Sequence, residues 1–230
     1  MRETIYLPHK KERAILTKKI WRTLSASLLL VYLVVAWIWP VIGWAALICM
    51  VAPALVAIRK GRWWCGNTCP RGSFYDLFVA PFTKGRRIPQ WAHTTGFRVL
   101  SLATVMSLFM IQMVHAWGNV GAMGQVFLRM ILITTLIGLT LAAFYSHRSW
   151  CSFCPMGSIS SWVGKRAMPM QVEASCVDCK KCAQVCSFNL EPLQAKGSDE
   201  GFQHGDCLKC GKCVAACPKK ALSFPEKTVD

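Results

Sequence analysis

The stretch Thr23-LSASLLLVYLVVAWIW-Pro40-VIGWAALICMVAPALVA-Ile58 carries no charged side chain. As one helix it would be roughly 54 Å long at 1.5 Å per residue, against a hydrocarbon core of about 30 Å. It must therefore fold back, and Pro40 and Gly43 near its middle suit a short turn. Two spans follow, residues 23–39 and 41–58, both near the short limit for crossing a bilayer, with Pro53 placed to kink the second. A second apolar block, residues 99–146, is interrupted by Gly118, Asn119, Gly121 and Gly124 and predicts spans at 99–117 and 126–145, with Arg129 as its one strong charge. Hydrophobic residues make up 53% of the 230-residue chain and charged ones 17%, too apolar for an ordinary soluble protein. Helices of a large soluble core are the alternative; the length of the blocks and the charge bias beside them argue against it.

Positive charge clusters on one side of that four-span path. Arg2, Lys10, Lys11, Arg13, Lys18, Lys19 and Arg22 precede the first span. Arg59, Lys60, Arg62, Arg71, Lys84, Arg86, Arg87 and Arg98 fill the middle loop, and the turns around Pro40 and Gly118 carry none. The bias predicts both termini and the middle loop on the cytoplasmic side. The net charge of +16 thus follows the membrane segments and does not point to nucleic acid. No cleavable signal peptide is visible.

Eight of the thirteen cysteines form two runs of equal spacing: Cys176, Cys179, Cys182 and Cys186, then Cys207, Cys210, Cys213 and Cys217 followed by Pro218. A cubane has four iron corners, each needing a thiolate. Three cysteines at two-residue intervals let a tight loop wrap three corners, and the fourth corner is reached from a distant segment. This is the bacterial two-cluster ferredoxin spacing, in which the fourth cysteine of each run ligates the other run's cluster. It assigns Cys176, Cys179, Cys182 and Cys217 to cluster I, and Cys207, Cys210, Cys213 and Cys186 to cluster II. Zinc sites and disulfides are the alternatives; the doubled register of eight cysteines disfavours both. Cluster ligation needs reduced thiolates, which fits a cytoplasmic setting. Ser187 stands where the pattern has proline and predicts an altered local turn.

Each apolar hairpin is followed by one phrase. The first runs Arg62-Trp63-Trp64-Cys65-Gly66-Asn67-Thr68-Cys69-Pro70-Arg71-Gly72-Ser73, and the second Arg148-Ser149-Trp150-Cys151-Ser152-Phe153-Cys154-Pro155-Met156-Gly157-Ser158. The shared form predicts two related halves, each a helical hairpin ending in a cysteine pair at the cytoplasmic face. Cys65, Cys69, Cys151 and Cys154 would supply four thiolates to a third iron–sulfur centre; structural thiols or disulfide-cycling dithiols are the alternatives. Neither Cys69 nor Cys154 precedes a histidine, so covalent haem attachment is excluded.

The four spans, the two Cys-Pro pairs and the terminal two-cluster motif together resemble the ferredoxin-type membrane proteins of the NapH/MauN group. They are also similar to the membrane-plus-ferredoxin part of NosR and to the core of the CcoG/RdxA proteins. The resemblance covers nearly the whole chain; the closer spacing of Cys151 and Cys154 departs from it, and no flavin-attachment phrase is present. It implies quinone- or quinol-linked electron transfer to a redox protein partner within a hetero-oligomeric complex, in the lipid of a bacterial or archaeal cytoplasmic membrane. The expected fold is an α-helical membrane unit of two repeated hairpins plus a small α+β two-cluster ferredoxin-like unit. The expected organisation is a basic N-terminus (1–22), the membrane unit (23–165) and the ferredoxin-like unit (166–230).

His115 and Arg129 sit near the outer ends of spans and suit side chains reaching the interface. His93, among Trp91 and Phe97 near the inner surface, is a candidate on the quinone side and otherwise a loop residue. Trp21, Trp63, Trp64, Trp91, Trp150 and Trp162 suit an aromatic belt, and Cys49 a packing role. Lys180, Lys181, Lys209, Lys212, Lys219 and Lys220 surround the clusters, either solvating them or docking an acidic partner. A membrane metal reductase or a maturation factor, and a non-catalytic anchor for a soluble oxidoreductase, stand as the alternative functions.

Overall fold

The computed structural model describes residues 8–83 and 86–225, with side chains from residue 17 onward except Lys18. Arg2 and Lys84, the C-terminal Asp230, and the side chains of Lys10, Lys11, Arg13 and Lys18 lie outside the described residues. The described chain is mostly helical, and four of its helices are long and apolar enough to cross a membrane: Lys19–Ile38, Pro40–Lys60, Thr95–His115 and Val120–Phe144, with mean hydropathies of 1.7, 2.5, 1.7 and 2.1. Each is longer than a marginal span, because helix continues beyond the uncharged residues. The first belongs to α1 (Pro8–Ile38), and the second is a 3-10 turn (Pro40–Ala45) running into α2 (Ala46–Lys60). Trp39 adopts an extended conformation before Pro40, as the proline ring requires of its predecessor, and this ends α1. Gly61, with φ 58°, closes α2 just after Arg59 and Lys60, whose charges suit a helix C-terminus. Trp37, Ile48, Leu100 and Leu136 stand exposed on these helices, an apolar surface that lipid would cover.

Two short helices follow α2: α3 (Trp63–Asn67) and α4 (Pro70–Phe74), the latter continuing into a π-helical turn over Tyr75–Val79. The third and fourth long helices are α5 (Thr95–His115) and α6 (Val120–Phe144). The expected break at Gly121 and Gly124 is not there: the turn ends at Asn119, whose side chain caps α6 by accepting from the Ala122 N–H at 3.0 Å. Both glycines are helical, and Gly124 serves close approach instead. A Cβ on Gly124 would run into the Pro40 carbonyl, and one on Gly43 into Gly124. Trp44 adds a hydrogen bond to the Val120 carbonyl at 3.2 Å. The two hairpin turns are thereby locked together at one end of the bundle.

The cysteine phrases occupy the other end. The second phrase forms α7 (Ser149–Phe153) and α8 (Pro155–Val163). Pro70 and Pro155 each take the first helical position after a cysteine, where the missing N–H is harmless. Helix α1 packs on α4, α2 on α8, and α6 on α7. The C-terminal segment then folds over this end. Its short strands β1 (Gln171–Val172) and β2 (Leu222–Ser223) pair antiparallel, with Val172 opposite Leu222. Between them lie the single-turn helices α9 (Lys181–Gln184) and α10 (Lys212–Ala216) around a core of Met170, Val172, Cys182, Phe202 and Leu222.

Candidate iron–sulfur centres

The two C-terminal cysteine runs fold alike. Asp178 and Lys209, then Lys180 and Gly211, then Asn189 and Lys220, occupy matching places in the runs, and all six have positive φ between 51° and 74°. Five of them are not glycine, so each run holds a strain that L-residues normally avoid. Successive right- and left-handed residues turn their backbone N–H groups into one concavity, the kind of nest that receives an anion such as an iron–sulfur cluster. The turns after Cys186 and Cys217 match despite Ser187 standing where Pro218 stands: Asn189 and Lys220 both take the left-handed conformation. The expected change of turn at Ser187 does not occur, because the left-handed residue lies further along and sets the reversal itself.

Cysteines of the two runs also come together. Cys176, Cys179 and Cys182 line one cavity together with Cys217 from the other run. Cys186 lies within electrostatic reach of Cys207 and Cys210, and Cys213 of all three. Burial, with those neighbouring thiols, pushes Cys213 up to about 12. The Lys209 ammonium is buried next to Cys207 and Cys213 with no hydrogen-bond partner, a charge that calls for an anion beside it.

The membrane-face cysteines converge as well. Arg62 of the first phrase donates to the Cys151 carbonyl at 2.5 Å, and Arg148 of the second donates to the Cys65 carbonyl at 3.0 Å. Gly157 and Gly72 leave room for these guanidiniums: a Cβ on either would strike the arginine from the other phrase. Cys65 lies within reach of Cys69, Cys154 and Cys151, and burial, reinforced by those thiols against Arg62, pushes it up to about 12. Arg148 approaches the Cys151 sulfur at 3.8 Å and Arg71 the Cys154 sulfur at 3.6 Å. Arg71 also donates to Thr134 at 2.7 Å and lies over the Trp150 ring, but among the described residues it makes no ion pair with a carboxylate. Trp64 Nε1, Trp150 Nε1, Ser152 Oγ and Ser158 Oγ, all within the two phrases, are buried without partners. Three guanidiniums and four spare donors around four thiols suit a cubane with four thiolates, which is a net anion with sulfide acceptors. Among the described residues no three His, Cys, Asp or Glu side chains gather tightly enough to close on one ion; a cubane instead needs its thiolates spread over four corners.

Two aspartates that the sequence reading passed over join the units. Asp206, one residue before Cys207, is buried and accepts from Arg62 at 3.0 Å, Arg98 at 2.6 Å and Ser161 at 3.1 Å, with His93 at 3.2 Å. Burial alone would raise its carboxyl, but the His93 hydrogen bond and the two guanidiniums outweigh it and hold the group well below the usual carboxylate range. Asp76, on the π-helical turn, answers from the membrane unit. It pairs with Arg22, with Arg148 at 2.9 Å and with Lys212 of the second run at 3.6 Å, and lies 3.1 Å from the His147 ring. Burial and the cations Lys212, Arg148 and Arg22 pull His147 down to about 3, so it stays neutral. The chain has 11 acidic residues, and Asp76, with no other acid in the middle loop, stood out in sequence; Asp206, close after Asp199 and Glu200, did not.

Other expectations divide. His93 is not a lone loop residue, because Asp206 and Arg98 hold it. Trp150 is buried against Phe153 and is no belt residue, while Trp21, Trp91 and Trp162 are exposed. His115 ends α5 exposed, and Arg129 lies exposed beside Gln125 at 3.4 Å. Cys49 is half-buried in α2. Lys209 and Lys212 face the membrane unit; Lys180, Lys181, Lys219 and Lys220 are exposed.

The model for a 4Fe-4S binding domain matches residues 42–89 and 128–171, and that for a 4Fe-4S dicluster domain matches residues 175–221. Fold and site therefore define a membrane iron–sulfur electron-transport protein. The relatives narrow the class. An uncharacterized protein of Methanocaldococcus jannaschii is 25% identical over 76% of this chain and 76% of its own. The ferredoxin-type protein NapH of Haemophilus influenzae is 27% identical over 73% of this chain and 63% of its own. The putative electron transport protein YccM of Escherichia coli is 25% identical over 86% of this chain and 60% of its own. These matches support a membrane iron–sulfur protein similar to the ferredoxin-type protein NapH. No solved structure matches it.

Proposed function

We propose that the chain is the membrane electron-transfer subunit of a quinone-linked complex, with three iron–sulfur centres and a redox protein as partner. Cys176, Cys179, Cys182 and Cys217 hold the first centre, Cys207, Cys210, Cys213 and Cys186 the second, and Cys65, Cys69, Cys151 and Cys154 the third. Residues 23–165 form the membrane unit of two related hairpins, and residues 166–230 the α+β dicluster unit on its cytoplasmic face. The observation that carries the reading is the exchange of Arg62 and Arg148 between the two cysteine phrases, which supports four thiols at one place beneath the dicluster segment.

When bound, each cluster supplies one-electron transfer without bond making. The chain's residues prepare the place. Arg62, Arg71 and Arg148 offset the negative charge that four thiolates bring. Trp150 and Phe153 pack against Phe97 and keep water from that end of the bundle. Asp206 and Asp76 fix the dicluster segment against it, so that the distance between the sites does not wander. The quinone end is supported by the neighbourhood of the thiols: Cys69 and Arg71 lie within reach of Cys49, near the middle of the second span Pro40–Lys60.

The test is electron exchange in membranes, with the protein assembled with its partner. Quinol should reduce the clusters, or reduced clusters should reduce quinone. No exchange in either direction across a range of quinones, with intact clusters, would contradict the quinone link and favour a maturation or anchoring role.

A further inference from the structure

The two C-terminal thiol sets stand in different surroundings. Around Cys186, Cys207, Cys210 and Cys213, several neighbouring residues reach the membrane unit. Asp206 meets Arg62 and Arg98, and Lys212 meets Asp76. The Lys209 carbonyl accepts from Asn67 at 3.3 Å, and Phe188 lies under the Arg62 guanidinium. The set of Cys176, Cys179, Cys182 and Cys217 has its own side, where Cys179 is exposed.

That side has its own composition. Val177, an apolar residue next in sequence to the cavity-lining Cys176 and Asp178, is 56% exposed. Lys180 and Lys181 line the same cavity and are exposed. Lys219 and Lys220 follow Cys217, the cavity's fourth thiol, and are exposed as well. The acidic groups on the flanking segments include Glu173, Asp178 and Glu191; Asp178 is paired with Lys196 at 3.0 Å, and Glu191 accepts from Gln194 at 3.2 Å. The face is thus a small apolar spot ringed by cations around the most exposed thiol of the chain.

We propose that this face docks a soluble one-electron carrier protein with an acidic surface. The lysines speed its approach and orient it, as complementary charge does at transient interfaces. Val177 gives the dry contact that brings the carrier's redox centre to the Cys179 edge. One electron crosses per encounter: the carrier is oxidised as the chain is reduced, or the reverse, and no bond is made or broken. The inference rests on the reading of Cys176, Cys179, Cys182 and Cys217 as ligands of one cluster.

The test is binding, measured on the full cluster-loaded chain in detergent with an acidic plant-type ferredoxin as probe and cytochrome c, a basic carrier, as control. The acidic probe should associate faster than the basic one, and the rate should fall as salt rises from 50 to 200 mM. Reversing Lys180, Lys181 and Lys219 to Glu should slow association by about tenfold or more. Neutralising the same three to Gln should slow it less, and Lys165→Glu with Arg166→Glu, exposed elsewhere, should leave it unchanged. Faster binding of cytochrome c, no effect of the three reversals, or an equal effect of the remote pair would overturn the proposal. Iron content separates the two readings: if Cys217→Ser costs no iron, the ligand reading fails whatever the docking assay returns, and if it costs iron while the reversals are silent, the docking face fails alone.

Discussion

Arg62 lies in the first cysteine phrase, yet its guanidinium donates to the carbonyl of Cys151 in the second, at 2.5 Å. The same side chain pairs with Asp206 at 3.0 Å, so one arginine joins both halves of the membrane unit to the dicluster segment. Such a buried cation destabilises if any partner is lost, because its charge is then left uncompensated. Gly157→Ala puts a methyl group against Arg62 and should cost about 1–3 kcal/mol, as overpacking does. Gly96→Ala, at a position where a Cβ meets nothing within 4 Å, is the control and should not destabilise. Thermal unfolding of the two variants in detergent checks the difference.

Arg71 faces the Cys154 sulfur with no carboxylate to answer it among the described residues. Arg71→Met should leave the dicluster segment's iron in place but lower the midpoint potential of the membrane-face centre, because a nearby cation favours the reduced, more negative state. Redox titration followed by electron paramagnetic resonance reads the shift. An unchanged potential with full iron would contradict the placement of this guanidinium at a cluster.

His147 links stability to pH. Its folded pKa of about 3 lies below the unfolded value of about 6.5, so the unfolded chain binds the extra proton between those limits. Stability is full above about 6.5 and falls with acid through that window. Asp206, held below its unfolded value of about 3.9, adds a further loss only below that pH. Protease resistance of the dicluster segment should therefore decline from pH 7 to 5 in the native chain and decline less in His147→Gln.

The four spans and both cysteine runs were legible because they rest on local patterns: unbroken apolar length, and thiols at fixed intervals. The ends of the spans were not. Gly121 and Gly124 read as breakers, but their lack of a side chain serves the contact with Pro40 and Gly43, which no local pattern reports. Ser187 misled for the same reason, since Asn189 sets the turn. The repeated arginine was visible in both phrases, but not its exchange between them. Asp76 and Asp206 matter through partners far away in sequence, so only the folded chain displays their role. The six lysines near the runs were one group in sequence and two in space.

Ligand crossing between the runs makes a sharp prediction. Cys217→Ser should damage the cluster held by Cys176, Cys179 and Cys182, whose cavity Cys217 lines, and spare the one held by Cys207, Cys210 and Cys213. Spectroscopy on reduced protein distinguishes the two sites, and damage to the second would reverse the assignment.

The most direct measurement is iron per chain in protein purified without oxygen. Two dicluster sites alone give about 8 irons, and a third cubane on Cys65, Cys69, Cys151 and Cys154 raises the count to about 12. The account predicts about 12, with a loss of about 4 on mutating Cys65 and Cys151 together. A fully loaded preparation with about 8 irons, unchanged by that double substitution, would contradict it.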